Sequence, residues 1–148
     1  MAARRSGSVR VTARRGSRLR MLDAPEAGAA PVLELSGDFD LDTVPEIDRF
    51  LRRRLGPLYH REHLVIDLSA TTFVDSSFVA YVVRLLKDLR GGRKELILVR
   101  PAGQVRRVLA LVGLPNLVPV FESVEEALAA LTTGRLPIIP PAFEAIRY

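Results

Sequence analysis

The hydrophobic positions of this chain alternate between two kinds of spacing. Short, mostly apolar runs predict five strands, at residues 19–22, 32–35, 64–68, 95–99 and 117–121. Apolar residues three and four positions apart predict four helices, at about residues 43–55, 77–89, 105–112 and 124–133. Because strands and helices alternate, the pattern predicts an α/β domain with a largely parallel sheet.

One predicted helix start carries candidate chemistry. Asp75-Ser76-Ser77 follows the apolar run 64–68 and immediately precedes the helical pattern. The N-terminus of a helix has free N–H groups and a positive dipole end, so it tolerates an anion. A serine there can therefore act as a phosphorylation switch. Asp75 and Ser76 are also ordinary N-cap residues, and taken alone the pattern favours a simple helix start.

The charge distribution divides the chain into three segments. Residues 1–22 contain seven arginines and no acid, so the net charge of +5 comes from this arm and the remainder is slightly acidic. We predict a basic disordered arm at 1–17, a domain at 18–134 and a proline-containing tail at 135–148. The arm is either a solvated tail or a contact for an acidic surface. We expect no nucleic-acid binding except through this Arg-rich arm.

The composition excludes several classes of protein. The chain has no cysteine, which excludes disulfides and cysteine-ligated zinc. It has no apolar run of membrane-spanning length, and its basic N-terminus lacks the apolar region of a secretory signal. We therefore expect a cytoplasmic protein without membrane association.

The sequence gives little support for catalysis. His60 and His63 would need a helix and further ligands to hold a metal, and the residues around them predict neither. Ser76 lacks a Gly-x-Ser-x-Gly elbow and a histidine positioned as its base. We expect neither an enzyme nor a cofactor or metal.

Three segments, in this order, resemble the STAS domain family and within it the bacterial anti-sigma factor antagonists. Residues 35–40 are similar to the family's strand that ends in Gly-x-hydrophobic-Asp. The runs 64–68 and 73–77 are similar to its strand, loop and phosphorylation site, and residues 113–128 to its last strand and helix. The resemblance covers about residues 19–133.

The resemblance implies a fold and a function. It implies a single domain with a small mixed, mostly parallel sheet and helices packed mainly on one face. It also implies that a partner, both anti-sigma factor and serine kinase, phosphorylates Ser76 (less favourably Ser77). The unphosphorylated form would bind that partner and free a sigma factor for transcription, and a PP2C-type phosphatase would restore it. A partner-binding surface of Asp40, Asp75, Ser76, Ser77 and Phe78 is expected.

Phe78 departs from the family pattern, which often has glycine at this position. A phenylalanine there either turns into the core or offers an apolar surface to a partner. It favours an alternative function, a STAS scaffold or sensor subunit of a signalling assembly that has no serine switch.

Overall fold

Six strands and four helices make up the residues that the computed structural model describes, which are 9–12, 16–22 and 30–137. In chain order the elements are β1 Val9–Thr12, β2 Arg18–Leu22, β3 Val32–Phe39, α1 Val44–Leu55, β4 Leu64–Val74, α2 Ser76–Gly91, β5 Leu96–Val99, α3 Gly103–Val112, β6 Val120–Phe121 and α4 Val124–Thr133. Short 3₁₀ turns lie at Tyr59–Arg61 and Leu114–Asn116. No helix in these ranges is long and apolar enough to cross a membrane.

The strands form one mixed sheet in the order β1-β2-β3-β4-β5-β6. The pairs β1–β2 and β2–β3 are antiparallel, and the three pairs from β3 to β6 are parallel. The parallel half contains the crossover helices, as such pairs require. The predicted α/β fold with a mostly parallel sheet is therefore confirmed.

Side chains alternate between the two faces of the sheet and build two separate cores. Leu33, Ile66 and Leu98 point to the larger core, which α1, α2 and α3 cover. Val65 and Ile97 point to the opposite face, where α4 covers them. Three of the four helices thus lie on one face, as the family resemblance implied.

The helix α2 contributes most to the larger core. Eight of its side chains are buried, including Phe78, Val82 and Leu86. Fully burying one such side chain stabilises a fold by about 1.5–3 kcal/mol. The helix therefore cannot leave the sheet without unfolding the domain, and its first residue, Ser76, has a fixed position.

Several element boundaries differ from the prediction. The strand β3 continues past Ser36 and stays paired with β4, which has one extra residue at each of two register shifts, between Glu34 and Ser36 and between Gly37 and Asp38 of β3. β4 extends to Val74 through a polar stretch, where the hydroxyl of Thr71 donates to the Leu35 carbonyl at 2.7 Å. β6 is shorter than predicted because the N–H groups of Leu117 and Val118 donate to the Leu114 carbonyl, at 2.8 and 3.1 Å, and not to a neighbouring strand.

The predicted disordered arm, residues 1–17, is wrong at Val9–Thr12, which pairs with β2. Apolar alternation in Val9-Arg10-Val11-Thr12 is the period of a strand, and the arginines around it masked that signal. The remaining arm residues 1–8 and 13–15, and the tail from 138 onward, lie outside the described residues.

Gly37 allows the chain before β2 to approach β3. Its φ is +91°, which favours glycine, and a Cβ there would lie 3.0 Å from the Gly16 carbonyl oxygen and 3.2 Å from the Ser17 Cα. Ser17 is fully buried at this contact, and its hydroxyl donates to the Asp38 carbonyl.

We expect Gly37→Ala to destabilise the domain by about 2 kcal/mol, because it combines a positive φ with a backbone clash. Urea unfolding measures the change. Gly91→Ala is the matched control, since a Cβ there meets nothing within 4 Å. Equal stability of the Gly37 variant and the wild type would contradict this account of the contact.

Candidate functional site

Asp75 fixes the start of α2. Its backbone is extended, and its carboxylate Oδ1 accepts the N–H of Ser77 at 2.9 Å and of Phe78 at 3.4 Å. This is an N-cap, which satisfies two donors that the helix leaves free. Ser76 is therefore the first residue of the helix, and it is exposed, whereas Ser77 is half-buried.

Asp40 has the equivalent position after the neighbouring strand. Its Oδ1 accepts the N–H of Asp42 at 3.0 Å and of Thr43 at 3.2 Å, and the Thr43 hydroxyl accepts the N–H of Asp40 at 2.8 Å. These bonds close the turn that leads into α1. Thr43 is the N-cap residue of α1, without a side-chain capping bond to the helix.

The sheet brings Asp40 and Asp75 together. Phe39 and Val74, the last residues of β3 and β4, are partners in the parallel register. Neighbouring strands lie about 4.8 Å apart, so the residues that follow them are adjacent at the same sheet edge. Of the predicted site residues, Asp40, Asp75, Ser76 and Ser77 therefore meet here.

Two exposed apolar side chains accompany them. Leu41 is 72% exposed and Phe73 is 39% exposed. Thr72, beside Phe73, donates to the Asp38 carboxylate at 2.8 Å and so joins β4 to β3. We call the surface formed by Asp40, Leu41, Phe73, Asp75 and Ser76 the end face; it combines carboxylates, apolar side chains and one exposed serine.

Phe78 does not belong to the end face. It is fully buried and packs in the larger core, so the expectation that it contacts a partner is wrong. It occupies the third position of α2, on the side of the helix that faces the sheet, where burial of an aromatic ring is strongly favourable. The sequence left open whether the Phe78 ring turns into the core or faces a partner, and in the structure it lies in the core.

Gln104, near the start of α3, is a site residue that the sequence analysis missed. Its side-chain amide accepts the N–H of Val74 at 3.1 Å and donates to the Val74 carbonyl at 2.9 Å. These two bonds hold the strand end directly before Asp75. The only sequence signal is a polar residue at the start of an apolar helix, which does not reveal its partner.

A groove of about 710 Å³ between α1 and α2 begins at Ser77. Its lining includes Leu41, Val44, Asp48 and Arg84. Burial disfavours the Asp48 carboxylate, but hydrogen bonds from Tyr59 and Arg52 outweigh that cost and lower the pKa of Asp48. Burial, together with the Asp48 hydrogen bond, raises the pKa of Tyr59 to about 12.

The two histidines lie at the opposite end of the sheet from Ser76. His60 is in the turn Tyr59–Arg61, and His63 immediately precedes β4. The Nδ1 of His63 accepts the N–H of Glu95 at 2.9 Å, so this nitrogen connects the segments before β4 and β5. In the described ranges no three His, Asp or Glu residues are grouped as metal ligands.

Comparison with known proteins gives one family. The family model described as STAS domain matches residues 21–127. One similar solved structure is an anti-sigma factor antagonist from Mycobacterium paratuberculosis. Its sequence identity is 22%, the match covers 81% of this chain and 97% of that one, and the TM-score is 0.65. A STAS domain protein from Planctomyces limnophilus, an anti-sigma factor antagonist, has 20% identity over 76% and 96% and a TM-score of 0.62.

The anti-sigma factor antagonist SpoIIAA in its unphosphorylated form is also similar. Its identity is 18% over 78% of this chain and 98% of that one, and the TM-score is 0.57. At these identities the likeness concerns the fold. It extends over nearly the whole length of each of these proteins, so the architecture described above is theirs as well.

We expect Gln104→Ala to destabilise the domain by about 2 kcal/mol, because it leaves the N–H and carbonyl of Val74 unpaired. Urea unfolding measures the loss. Gln104→Glu keeps one acceptor and removes the donor, so it should cost less than the alanine variant. The assignment fails if Gln104→Ala is as stable as the wild type.

We expect the free energy of unfolding to fall as the pH drops below about 6.5. Burial, helped by the nearby Lys94 ammonium and opposed by Glu95, lowers the pKa of His63 from its ordinary value of 6.5. Between the two pKa values the unfolded chain binds a proton at His63 that the folded chain does not. The contribution of neutral His63 to the free energy of unfolding is therefore fully present above pH 6.5 and is lost as the pH falls toward the lowered pKa. Urea unfolding between pH 7.5 and 5.5 should show a smaller change of the free energy of unfolding with pH for His63→Asn than for the wild type. Equal slopes for the His63 variant and the wild type would disprove this linkage.

Proposed function

This chain belongs to the STAS domain family, and on that basis we propose that it is an anti-sigma factor antagonist switched by phosphorylation of Ser76. Its partner would be an anti-sigma factor that is also a serine kinase. The unphosphorylated protein binds this partner and releases a sigma factor for transcription, and a PP2C-type phosphatase reverses the modification. The observation that carries the proposal is the exposed position of Ser76 beside Asp40 and Asp75 on the end face.

The geometry supports Ser76 over Ser77 as the phosphate acceptor. Ser76 is exposed, and as the first helical residue it projects from the sheet edge. Ser77 is half-buried at the groove between α1 and α2. A kinase must reach the hydroxyl with its catalytic groups at hydrogen-bond distance, which favours the exposed serine.

A phosphate on Ser76 would act on the interface rather than on the fold. It adds about −1.5 to −2 charges to a surface that already holds Asp40 and Asp75. The Asp75 carboxylate already accepts the N–H groups of Ser77 and Phe78, so the phosphate would remain in solvent. A partner docked on Leu41 and Phe73 would have to desolvate this charge, which is strongly unfavourable.

The alternative is a STAS scaffold or sensor subunit that has no serine switch. Phe78 favours it, because this residue stands where the family often has glycine and its ring is committed to the core. In this role the end face would bind its partner irrespective of Ser76.

We expect the anti-sigma kinases of the same genome, supplied with ATP, to phosphorylate the wild type and Ser77→Ala but not Ser76→Ala. Ser76→Asp should weaken binding to that kinase by at least about tenfold, because the added charge is buried in the interface. Ser69→Asp is the matched control, since it adds the same charge at an exposed position in the middle of β4.

Mass spectrometry locates the phosphate, and titration calorimetry measures the affinity. Phosphate on a residue other than Ser76 would refute the proposed site. Tight binding that Ser76→Asp leaves unchanged would refute the switch and support the scaffold.

A further inference from the structure

The end of the domain opposite Ser76 is basic. Residues 53–63 and 90–95 meet there, because the N–H of Glu95 donates to His63 Nδ1 and the N–H of Leu64 donates to the Glu95 carbonyl at 3.0 Å. Four cations of these segments form a surface that we call the basic end: Arg53, Arg61, Arg93 and Lys94. The first three are exposed and Lys94 is half-buried.

The carboxylates of the same segments do not balance these cations. Glu62 is exposed, and Glu95 lies 3.7 Å from Arg90, which is not one of the four. The strand β4 separates the basic end from Ser76 by ten residue steps, or about 33 Å. The domain therefore has an acidic end face and a basic end on opposite sides, each accessible without the other.

Arg93 has a backbone conformation that costs stability. Its φ is +62°, in the left-handed region. The N–H of Arg93 bonds the Arg90 carbonyl at 3.0 Å and that of Lys94 bonds the Leu89 carbonyl at 2.8 Å, which is the Schellman pattern that ends α2. Glycine is the usual residue at this position, and two glycines directly precede it. An arginine kept there against the local preference indicates a use for its guanidinium.

The surroundings of these cations indicate the class of ligand. Leu58 is the one large apolar side chain exposed within residues 53–63 and 90–95, at 54%. Protein interfaces have an apolar centre depleted of charge, and membrane anchoring needs a larger apolar face. A phosphate backbone needs only positive charge and hydrogen-bond donors, and arginine presents both in one planar group.

We propose that the basic end binds the phosphate backbone of nucleic acid without reading its sequence. Arg53, Arg61, Arg93 and Lys94 each contact one phosphate, and the segments before β4 and β5 hold them in place. No exposed aromatic side chain lies among them to stack on bases, since Tyr59 of this segment is buried. This activity is separate from the end face and does not depend on the state of Ser76.

The test uses the full chain and a fluorescein-labelled 20-base-pair duplex of arbitrary sequence, followed by anisotropy at 50 to 200 mM salt. Four phosphate contacts predict a slope of about −3.6 for log K against log salt. Arg93→Gly and Arg61→Gln should each weaken binding about fivefold at 50 mM salt and make the slope shallower by about 0.9.

Arg93→Gly gives an outcome that loss of folding cannot imitate. Glycine relieves the positive φ, so this variant should melt about 3 °C higher than the wild type while it binds the duplex more weakly. Arg107→Gln, an exposed arginine on α3, is the matched loss of one charge elsewhere and should bind as the wild type does.

Any of four results would overturn the proposal. One is the absence of duplex binding at 50 mM salt. Another is a loss of affinity in Arg107→Gln as large as the loss in Arg93→Gly and Arg61→Gln. The third is binding to vesicles rich in anionic phosphatidylglycerol, or to polyglutamate, without binding to the duplex. If Arg4→Gln with Arg5→Gln abolishes binding and the basic-end variants do not, the N-terminal arm is the site and the proposal is wrong.

Discussion

The parallel pairing of β3 with β4 is the constraint on which the site depends. Both strands continue beyond the apolar core and stay paired up to Phe39 and Val74, although the register shifts twice, each time with one extra residue in β4. Because parallel strands end at the same edge, Asp40 and Asp75 follow their strands side by side. Each carboxylate then caps the turn or helix after it, so the same bonds that start α1 and α2 also shape the end face.

Rigidity at this edge comes from two different sources. The apolar face of α2 anchors the helix to the larger core, and Phe78 places part of that anchor directly behind Ser76. Gln104 adds a polar clamp from α3 to the backbone of Val74. A serine on such a support is exposed without being flexible, which suits a modification that changes an interface and leaves the fold intact.

The two ends of the domain carry opposite charge for local reasons. Aspartates follow strands because they cap the helices that begin there, and cations collect where helices end because they complement the negative end of the helix dipole. The last turn of α1 contains three arginines, and the last turn of α2 contains Arg90. The helices α1 and α2, which both begin at the end face, thus separate charge across the molecule. Partners of opposite charge can then be recognised at opposite ends.

Patterns within one element could be read from the sequence. The period of the apolar residues predicted the alternation of strands and helices. The cap of α4 is local in the same way, since the N–H of Glu126 donates to the Ser123 hydroxyl three residues before it. Asp75-Ser76-Ser77 was recognisable as a helix start because its bonds are local.

The tertiary structure decided whatever depends on neighbours distant in the chain. The polar half of β4 is a strand only because β3 pairs with it, and Gln104 has a role only because α3 packs beside Val74. Whether Phe78 faced the core or a partner depended on the direction in which α2 meets the sheet. Local spacing encodes hydrogen bonds over three or four residues, whereas burial and long-range pairing exist only once the chain has folded.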